Sequence, residues 1–222
     1  MDEKPNKRKP GRPSEKQGVN LDGILRTALK SFAKNGFRGV SLNSLAKEVG
    51  VADSNLHYHF GSKEELWKSA LNLVGGEIIK ELDNLSRLIK DLDGIQQMKL
   101  FNKQIVYVSA RYPEFQQIVV QEVFSQSDRS KWLIENLLGK IYHYMDTVRV
   151  EEQKKGRIKE IPSPNMTSFV IGSITTLFSR SYQMETLYDL NPFDEKEVER
   201  HADIINDLLF NGMLVEKEAD SQ

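Results

Sequence analysis

The sequence predicts an all-α protein with a small N-terminal helical domain and a larger C-terminal helical domain. Apolar residues recur every three or four positions along most of the chain, which is the spacing of amphipathic helices. Glycine, proline and serine separate these segments, and no stretch alternates apolar and polar residues as a half-buried strand does. With 222 residues, 39% of them hydrophobic, the chain can bury a sizeable core.

The first two helices have clear boundaries. An apolar stripe from Ile24 to Ala33 predicts the first helix, and Gly36 is placed to end it. Ser41 is a favoured N-cap residue and Gly50 a favoured residue after a C-terminus, so a second helix is expected between them.

A third short helix is expected over 53–60, because Leu56 and Phe60 lie four residues apart on one face. Ser62 provides an N-cap for a long fourth helix, predicted over 63–90. Five more helices, about nine in all, follow from their apolar stripes. Their predicted ranges are 98–110, 115–124, 132–148, 166–182 and 198–214.

Composition excludes several classes of protein. The chain has no cysteine, which rules out disulfide frameworks and thiolate-ligated zinc or iron–sulfur sites. No window approaches the roughly 18 consecutive apolar residues that a membrane helix needs, and the N-terminus lacks the apolar segment of a signal peptide. We therefore expect a soluble cytoplasmic protein.

The net charge of −1 conceals two oppositely charged parts. Residues 1–68 hold 13 basic and 8 acidic residues, whereas residues 69–222 hold 18 and 24. The basic excess is strongest in residues 4–16, which hold six basic residues and one acidic residue, contain Pro and Gly and have no apolar pattern. Such a segment is typical either of a flexible arm that contacts a polyanion or of a solubilising tail.

The second and third predicted helices form a helix-turn-helix around Gly50. A tight turn lets the third helix lie in the major groove of DNA while the second crosses the backbone. With Leu56 and Phe60 facing inward, the Ser, Asn, Tyr and His side chains of the third helix stay outside, where they can reach base edges and phosphates. The predicted division is a flexible basic arm at 1–18, a DNA-binding domain at 19–66 and an effector-binding and dimerisation domain at 67–222.

Residues 25–71 resemble the DNA-binding domain of the TetR/AcrR family of transcriptional regulators. Residue pairs typical of that domain stand in order at 32–33, 36–37, 41–42, 45–46 and 50–51, followed by Leu-x-Tyr-His-Phe-x-x-Lys-Glu-x-Leu over 56–66. The resemblance implies a homodimer without a cofactor that binds a pseudo-palindromic operator in double-stranded DNA. It further implies a repressor released by a small-molecule effector.

The resemblance also implies which residues contact DNA. These are Ser41, Asn43, Asn55, His57, Tyr58, His59 and Lys63, of which Ser41, His59 and Lys63 are expected on phosphate. Ser54 is added as an outward-facing polar residue of the third helix. Ala52, Asp53 and His57 depart from the family pattern. Asp53 either caps the third helix or accepts a hydrogen bond from a cytosine amine. Capping is favoured, because a carboxylate near phosphates is repelled.

Pro10-Gly11-Arg12-Pro13, in the basic arm, resembles the core of an AT-hook. Its extended backbone is narrow enough for the minor groove. Arg12 is expected there, because A·T-rich DNA concentrates negative potential in that groove.

The last two predicted helices are expected to form a four-helix bundle with the same helices of a second copy. The alternative is that their apolar stripes only pack the core of one chain. The residues expected at the dimer interface are Phe169, Gly172, Thr176, Ile205, Leu208 and Leu209.

Polar or aromatic residues within apolar helices are candidates for an effector pocket, and the alternative for each is an ordinary core or surface position. The candidates are Tyr107, Arg111, Gln121, Trp132, Tyr144 and Arg180. An anionic or carbonyl-bearing effector would suit Arg111 or Arg180.

No catalytic or metal-binding set emerges from the sequence. His57 and His59 diverge by roughly 200° around a helix, so they do not share a metal-binding face. No nucleophile or acid–base pair is apparent, so an enzyme is not expected. Two other functions stay open: an architectural DNA-binding protein without an effector pocket, and a protein whose C-terminal half binds another protein.

Overall fold

The computed structural model describes residues 20–214, and the predicted all-α fold is confirmed there. This range contains eleven α-helices and one π-helical turn, with a single isolated β-bridge between Ile158 and Leu214. The helices are α1 (Leu21–Gly39), α2 (Leu42–Val49), α3 (Asp53–Phe60), α4 (Lys63–Ile89), α5 (Gly94–Arg111), α6 (Pro113–Val123), α7 (Asp128–Leu133), α8 (Gly139–Lys154), α9 (Ser163–Ser179), α10 (Ser181–Tyr188) and α11 (Glu195–Met213). The π-helical turn, Ile134–Leu138, joins α7 to α8.

Helix caps set the boundaries in the N-terminal part much as the sequence predicts. Ser41 Oγ accepts a hydrogen bond from Ser44 N at 3.0 Å, and Ser62 Oγ accepts one from Glu65 N at 3.2 Å. Gly36 leaves the helical conformation with φ 68° and ψ 166°, which interrupts α1 one turn before its end. The chain therefore turns at Gly36, and Phe37 packs against the core.

Several predicted helices have different boundaries in the structure. The helix predicted over 98–110 begins earlier, at Gly94, because Asp93 caps it by accepting a hydrogen bond from Ile95 N at 3.0 Å. The helix predicted over 132–148 is part of the longer segment formed by α7, the π turn and α8. The helix predicted over 166–182 is divided into α9 and α10. Arg180, with φ −111° and ψ 29°, lies outside the helical region and causes the break.

We call residues 20–66 the head and residues 67–214 the body. The predicted boundary between them falls inside α4, which runs unbroken from one to the other. Helix α1 of the head packs against α4 and also against α6 of the body. One continuous cluster of buried apolar side chains therefore extends from the head into the body.

Helix α4 is held along its length by the segment α7–π turn–α8. The rings of Trp67 and Trp132 lie 5.7 Å apart at one end, and the Tyr144 hydroxyl donates to Asp83 at the other. Between them, Leu137 packs directly on Gly75, where an added Cβ would lie 2.9 Å from Leu137 Cδ2. Gly75 therefore permits the close approach of the π turn to α4.

Candidate DNA interface and body cavity

The turn between α2 and α3 is short and closed by backbone hydrogen bonds. Gly50 adopts the left-handed conformation, with φ 72° and ψ 29°, and Val51 N donates to Ala46 O at 3.0 Å. Leu56 is fully buried against this turn and anchors α3 to the head. The result is a rigid helix-turn-helix whose second helix lies on the surface.

The outer face of α3 is polar and open to solvent. Ser54, Asn55 and His59 are exposed, and 85% of Tyr58 is accessible. The Tyr58 and His59 rings meet edge to face at 5.1 Å, so the two side chains project together. Such side chains, presented by a helix, can contact base edges and phosphates in a major groove.

Asp53 does not cap α3, so the capping role favoured from the sequence is wrong. The N-cap position is Ala52, which has no side-chain capping hydrogen bond. Asp53 is the first helical residue, and its Oδ2 lies 3.6 Å from His57 Nε2, one turn further along α3. The carboxylate thus lies beside the His57 ring, whose Nδ1 is 3.3 Å from Gly61 O.

Lys63 does not present its ammonium to the exterior. Its Nζ donates to Phe37 O at 3.0 Å and to Val40 O at 2.9 Å, and it lies 4.4 Å from the centroid of the Phe37 ring. These carbonyls lie in the segment after the interruption at Gly36, so Lys63 ties that segment to α4. Two of the three donors of this ammonium are thus used within the chain, and the phosphate contact stays a prediction.

At the start of α2, Ser41 uses its hydroxyl in the cap, while Asn43 is exposed beside it. Arg12 and the rest of the basic arm lie outside the described residues 20–214.

The six residues predicted to bind an effector do not form one site, because most of them join helices. Arg111 Nη1 pairs with Glu81 Oε1 at 2.7 Å on the surface, and Gln121 Nε2 donates to Ala33 O in the head at 2.7 Å. Trp132 packs on Trp67, Tyr107 lies 5.8 Å from the Lys103 ammonium, and Arg180 is exposed at the break after α9. Tyr144 lines a cavity between α5, α8 and α9, whereas Arg111 and Gln121 line more open clefts between the head and the body.

That cavity lies between α5, α8 and α9 and has a volume of about 30 Å³. Tyr144 stacks on Phe101 at 6.2 Å and donates to Asp83 on α4. This hydrogen bond, together with desolvation, raises the pKa of the Tyr144 hydroxyl. A side chain that lines the cavity is therefore coupled directly to the helix that carries the head.

Sequence reasoning missed most of the cavity lining, which includes Met98, Met145, Met166 and Met213. These are four of the six methionines of the chain, so their clustering on the body helices was a usable signal. It was overlooked because single methionines on apolar stripes are ordinary core residues.

The residues predicted for a dimer interface lie on two sides of α9 and α11. Phe169 and Leu208 are 60% and 66% exposed, and Thr176 is also exposed, with Gly172 half-buried on the same helix. Ile205 and Leu209 are buried and pack in the core of the chain, because α11 presents them toward α5 and α9. The exposed apolar face is therefore narrower than the sequence predicts.

Within the described residues, no helix combines the length and apolar character needed to cross a membrane. In the same part of the chain, His, Asp and Glu side chains do not converge in threes as a metal-binding group.

Comparisons with known proteins agree with this geometry. The sequence model of the family described as bacterial regulatory proteins, tetR family, matches residues 24–70. The chain is 24% identical to the transcriptional repressor NicS of Pseudomonas putida over 214 residues, covering 93% of this chain and 98% of NicS. It is 28% identical to the transcriptional regulator RutR of Escherichia coli K12 over 115 residues, 52% of this chain and 53% of RutR.

The first curated relatives that match are covered only in part, since the chain spans 30% to 61% of their lengths. Among solved structures, the regulator FadR of Bacillus subtilis in complex with stearoyl-CoA superposes with a TM-score of 0.63 at 18% identity, covering 85% of this chain and 97% of FadR. The matching segment, 24–70, contains the whole helix-turn-helix. Residues 24–70 therefore match the DNA-binding domain of the TetR family of bacterial regulatory proteins.

Proposed function

We propose that this protein is a dimeric repressor that binds a pseudo-palindromic operator and leaves it when a small-molecule effector binds in the body. The observation that carries the effector response is the position of Tyr144. It lines the cavity between α5, α8 and α9 and donates to Asp83 on α4. A ligand that displaces the Tyr144 ring would therefore shift α4, whose first turn belongs to the head.

The geometry of α4 explains how such a shift could reach DNA. The helix is 27 residues long and unbroken, and its N-terminal Lys63 is tied to the segment that follows Gly36. A rotation of α4 therefore carries the head with it. A ligand that prefers the rotated conformation lowers operator affinity by its differential affinity for the two states.

A dimer is expected because one helix-turn-helix reads only a half-site, and half-sites lie about 34–36 Å apart. The exposed apolar side chains of α9 and α11, Phe169 and Leu208, offer a surface for a two-fold contact. In this proposal residues 19–66 bind DNA, residues 67–222 bind the effector and the second copy, and Arg12 of the arm at 1–18 enters the minor groove.

The proposal is tested with an operator selected from random DNA and a compound found by thermal-shift screening of a metabolite library. Light scattering should give twice the 25.5 kDa mass of one chain. Fluorescence anisotropy should show the operator Kd rising by about 5- to 150-fold when the compound is added. A compound that binds the dimer yet leaves operator affinity unchanged contradicts the proposed release.

Tyr144→Phe tests the coupling, because it removes the hydrogen bond to Asp83 and little else. We expect Tyr144→Phe to bind operator normally but to lose most of the response to the compound. Tyr142→Phe is the matched control, since Tyr142 lies on the same helix and is half-buried without lining the cavity. It should respond as the wild type does.

A further inference from the structure

We propose that the effector is a neutral, mainly apolar molecule that occupies a two-part chamber, closed on its outer side by a second copy of the chain. This inference rests on the proposed function and specifies its ligand. The inner part is the cavity between α5, α8 and α9, and the outer part is an open groove between α9 and α11. We call the two together the methionine chamber.

The inner part is small in this conformation but has adaptable walls. Its volume of about 30 Å³ is room for roughly two water molecules. Met98, Met145, Met166 and Met213 line it, and methionine has three rotatable bonds and fits irregular shapes. Rotation of these side chains can enlarge the cavity without moving a helix.

The outer part adjoins the inner one through shared walls, because Met166 and Met213 line both. The groove has a volume of about 390 Å³, within the range of about 300–1,000 Å³ typical of ligand sites. Its other lining residues include Ile161, Phe169 and Leu208. A molecule seated in the groove with its end between the two methionines would contact both parts.

The chamber offers no charge to a ligand. Of the described residues that line it, only Asp146 and Arg149 are charged. All five guanidinium hydrogens of Arg149 are used: its nitrogens bind Asp146 and Ser163, Gln153 at 2.6 Å and the Ile161 carbonyl at 3.2 Å. An anionic group in the inner part would therefore be desolvated without a cation to pair with. The lack of an unpaired charge in the lining favours a neutral ligand. Arg111 and Arg180, from which the sequence suggested an anionic or carbonyl-bearing effector, do not line the chamber.

The outer wall of the groove lies on the face proposed for dimerisation. Phe169 and Leu208 are exposed, line the groove and also belong to the predicted dimer interface. A two-fold contact through this face covers the groove, so an occupant would touch both copies. Its presence could then change how the two copies, and the two heads, are spaced.

A pair of fluorescent probes that differ mainly by one charge tests the chemical class. N-phenyl-1-naphthylamine is neutral, and 1-anilinonaphthalene-8-sulfonate carries a sulfonate on a similar ring system. Titrated into the full-length protein, the neutral probe should bind at least 10-fold more tightly than the sulfonate. Equal or tighter binding of the sulfonate overturns the proposal.

Two substitutions of Thr167, which lines the inner part, locate the probe. Thr167→Val and Thr167→Asp introduce side chains of similar size, one apolar and one charged. We expect Thr167→Val to bind the neutral probe as tightly as wild type or more tightly, and Thr167→Asp at least 10-fold more weakly. Thermal melts check that both are folded. Wild-type affinity in a folded Thr167→Asp contradicts the location.

Gly212 provides a test of the outer part. It lines the groove, and a Cβ added there meets no atom within 4 Å, so Gly212→Leu adds a bulky side chain at the groove without a clash. Gly76→Leu is the control, because Gly76 is equally open but lies on α4. The neutral probe should bind at least fivefold more weakly to Gly212→Leu and within twofold of wild type to Gly76→Leu. Unchanged binding to Gly212→Leu removes the groove from the site.

Operator binding and molecular mass, measured without probe, separate this inference from the proposed function. A dimer that binds operator but not the neutral probe overturns the methionine chamber alone. A probe that binds in the chamber but leaves operator affinity unchanged supports the chamber and contradicts the proposed release.

Discussion

The guanidinium carbon of Arg129 lies 3.8 Å from the centroid of the Phe37 ring, and this contact joins the body to the head. Lys63 lies 4.4 Å from the same centroid, and the Trp67 ring meets Phe37 edge to face at 6.2 Å. Arg129 also pairs at 3.4 Å with Glu122, a buried carboxylate that Ser125 and Ser127 hold by hydrogen bonds. The junction between head and body is thus centred on the Phe37 ring, which contacts Lys63 of the head and Arg129 of the body.

Arg129→Ala should destabilise the protein strongly, because it leaves the Glu122 carboxylate buried without a cation. We expect the free energy of unfolding in urea to fall by about 3 kcal/mol. Adding Glu122→Gln should restore at least half of that loss, since the amide carries no charge. Arg26→Ala is the control, because its pair with Glu77 is partly exposed, unlike that of Arg129, and should contribute about 1 kcal/mol or less. An equal fall in the free energy of unfolding for the two arginine variants would show that the buried Glu122 carboxylate does not depend on Arg129.

Lys63→Met should affect stability rather than phosphate binding. The Phe37 and Val40 carbonyls lose their donor, so we expect the free energy of unfolding to fall by about 2 kcal/mol. The slope of log operator affinity against log salt, measured where the variant is folded, should stay as in the wild type. A slope smaller by about 1 would assign the ammonium to a DNA phosphate after all.

Tyr58→Ala and Asn55→Ala should weaken operator binding without affecting stability, because both side chains are exposed on α3. We expect each to raise the operator Kd about 10-fold, with the same melting temperature as the wild type. Tyr188→Ala, at a position 69% exposed on α10, should change neither quantity. Equal weakening on random DNA would indicate phosphate contacts instead of base contacts.

Gly75→Ala and Gly76→Ala should have opposite effects on stability, although the two glycines are neighbours on α4. The methyl group at Gly76 meets open space, so the better helix propensity of alanine should stabilise the protein by up to about 1 kcal/mol. At Gly75 the methyl group meets Leu137 at 2.9 Å, and we expect a net loss of about 1 kcal/mol. The double variant Gly75→Ala, Leu137→Ala should show a favourable coupling in a double-mutant cycle. Stabilisation by Gly75→Ala alone would mean that Leu137 moves aside freely.

The sequence predicts those features that depend on local chemistry. Ser41, Gly50 and Ser62 define helix ends through caps and left-handed backbone, which adjacent residues determine. The motif around α3 likewise places Tyr58 and His59 on the surface, because Leu56 must be buried.

Contacts between helices distant in sequence could not be predicted in the same way. Gln121 and Arg111 resemble pocket residues until their partners, Ala33 and Glu81, are known. The role of Lys63 depends on carbonyls that only the turn at Gly36 brings within reach. A residue's chemistry narrows what it can bind, but the partner is decided by packing.

The π turn between α7 and α8 determines which residues of the two helices contact α4. Trp132, Leu137 and Tyr144 are separated by five and seven residues; five matches the wider repeat of a π turn, and seven is about two α turns. All three therefore lie along one side of this segment. Their partners on α4, Trp67, Gly75 and Asp83, are eight residues apart. Deleting one residue from the turn would rotate Tyr144 by about 100° relative to Trp132. The segment would then contact α4 either through Trp132, near the head, or through Tyr144, near the cavity, but not through both.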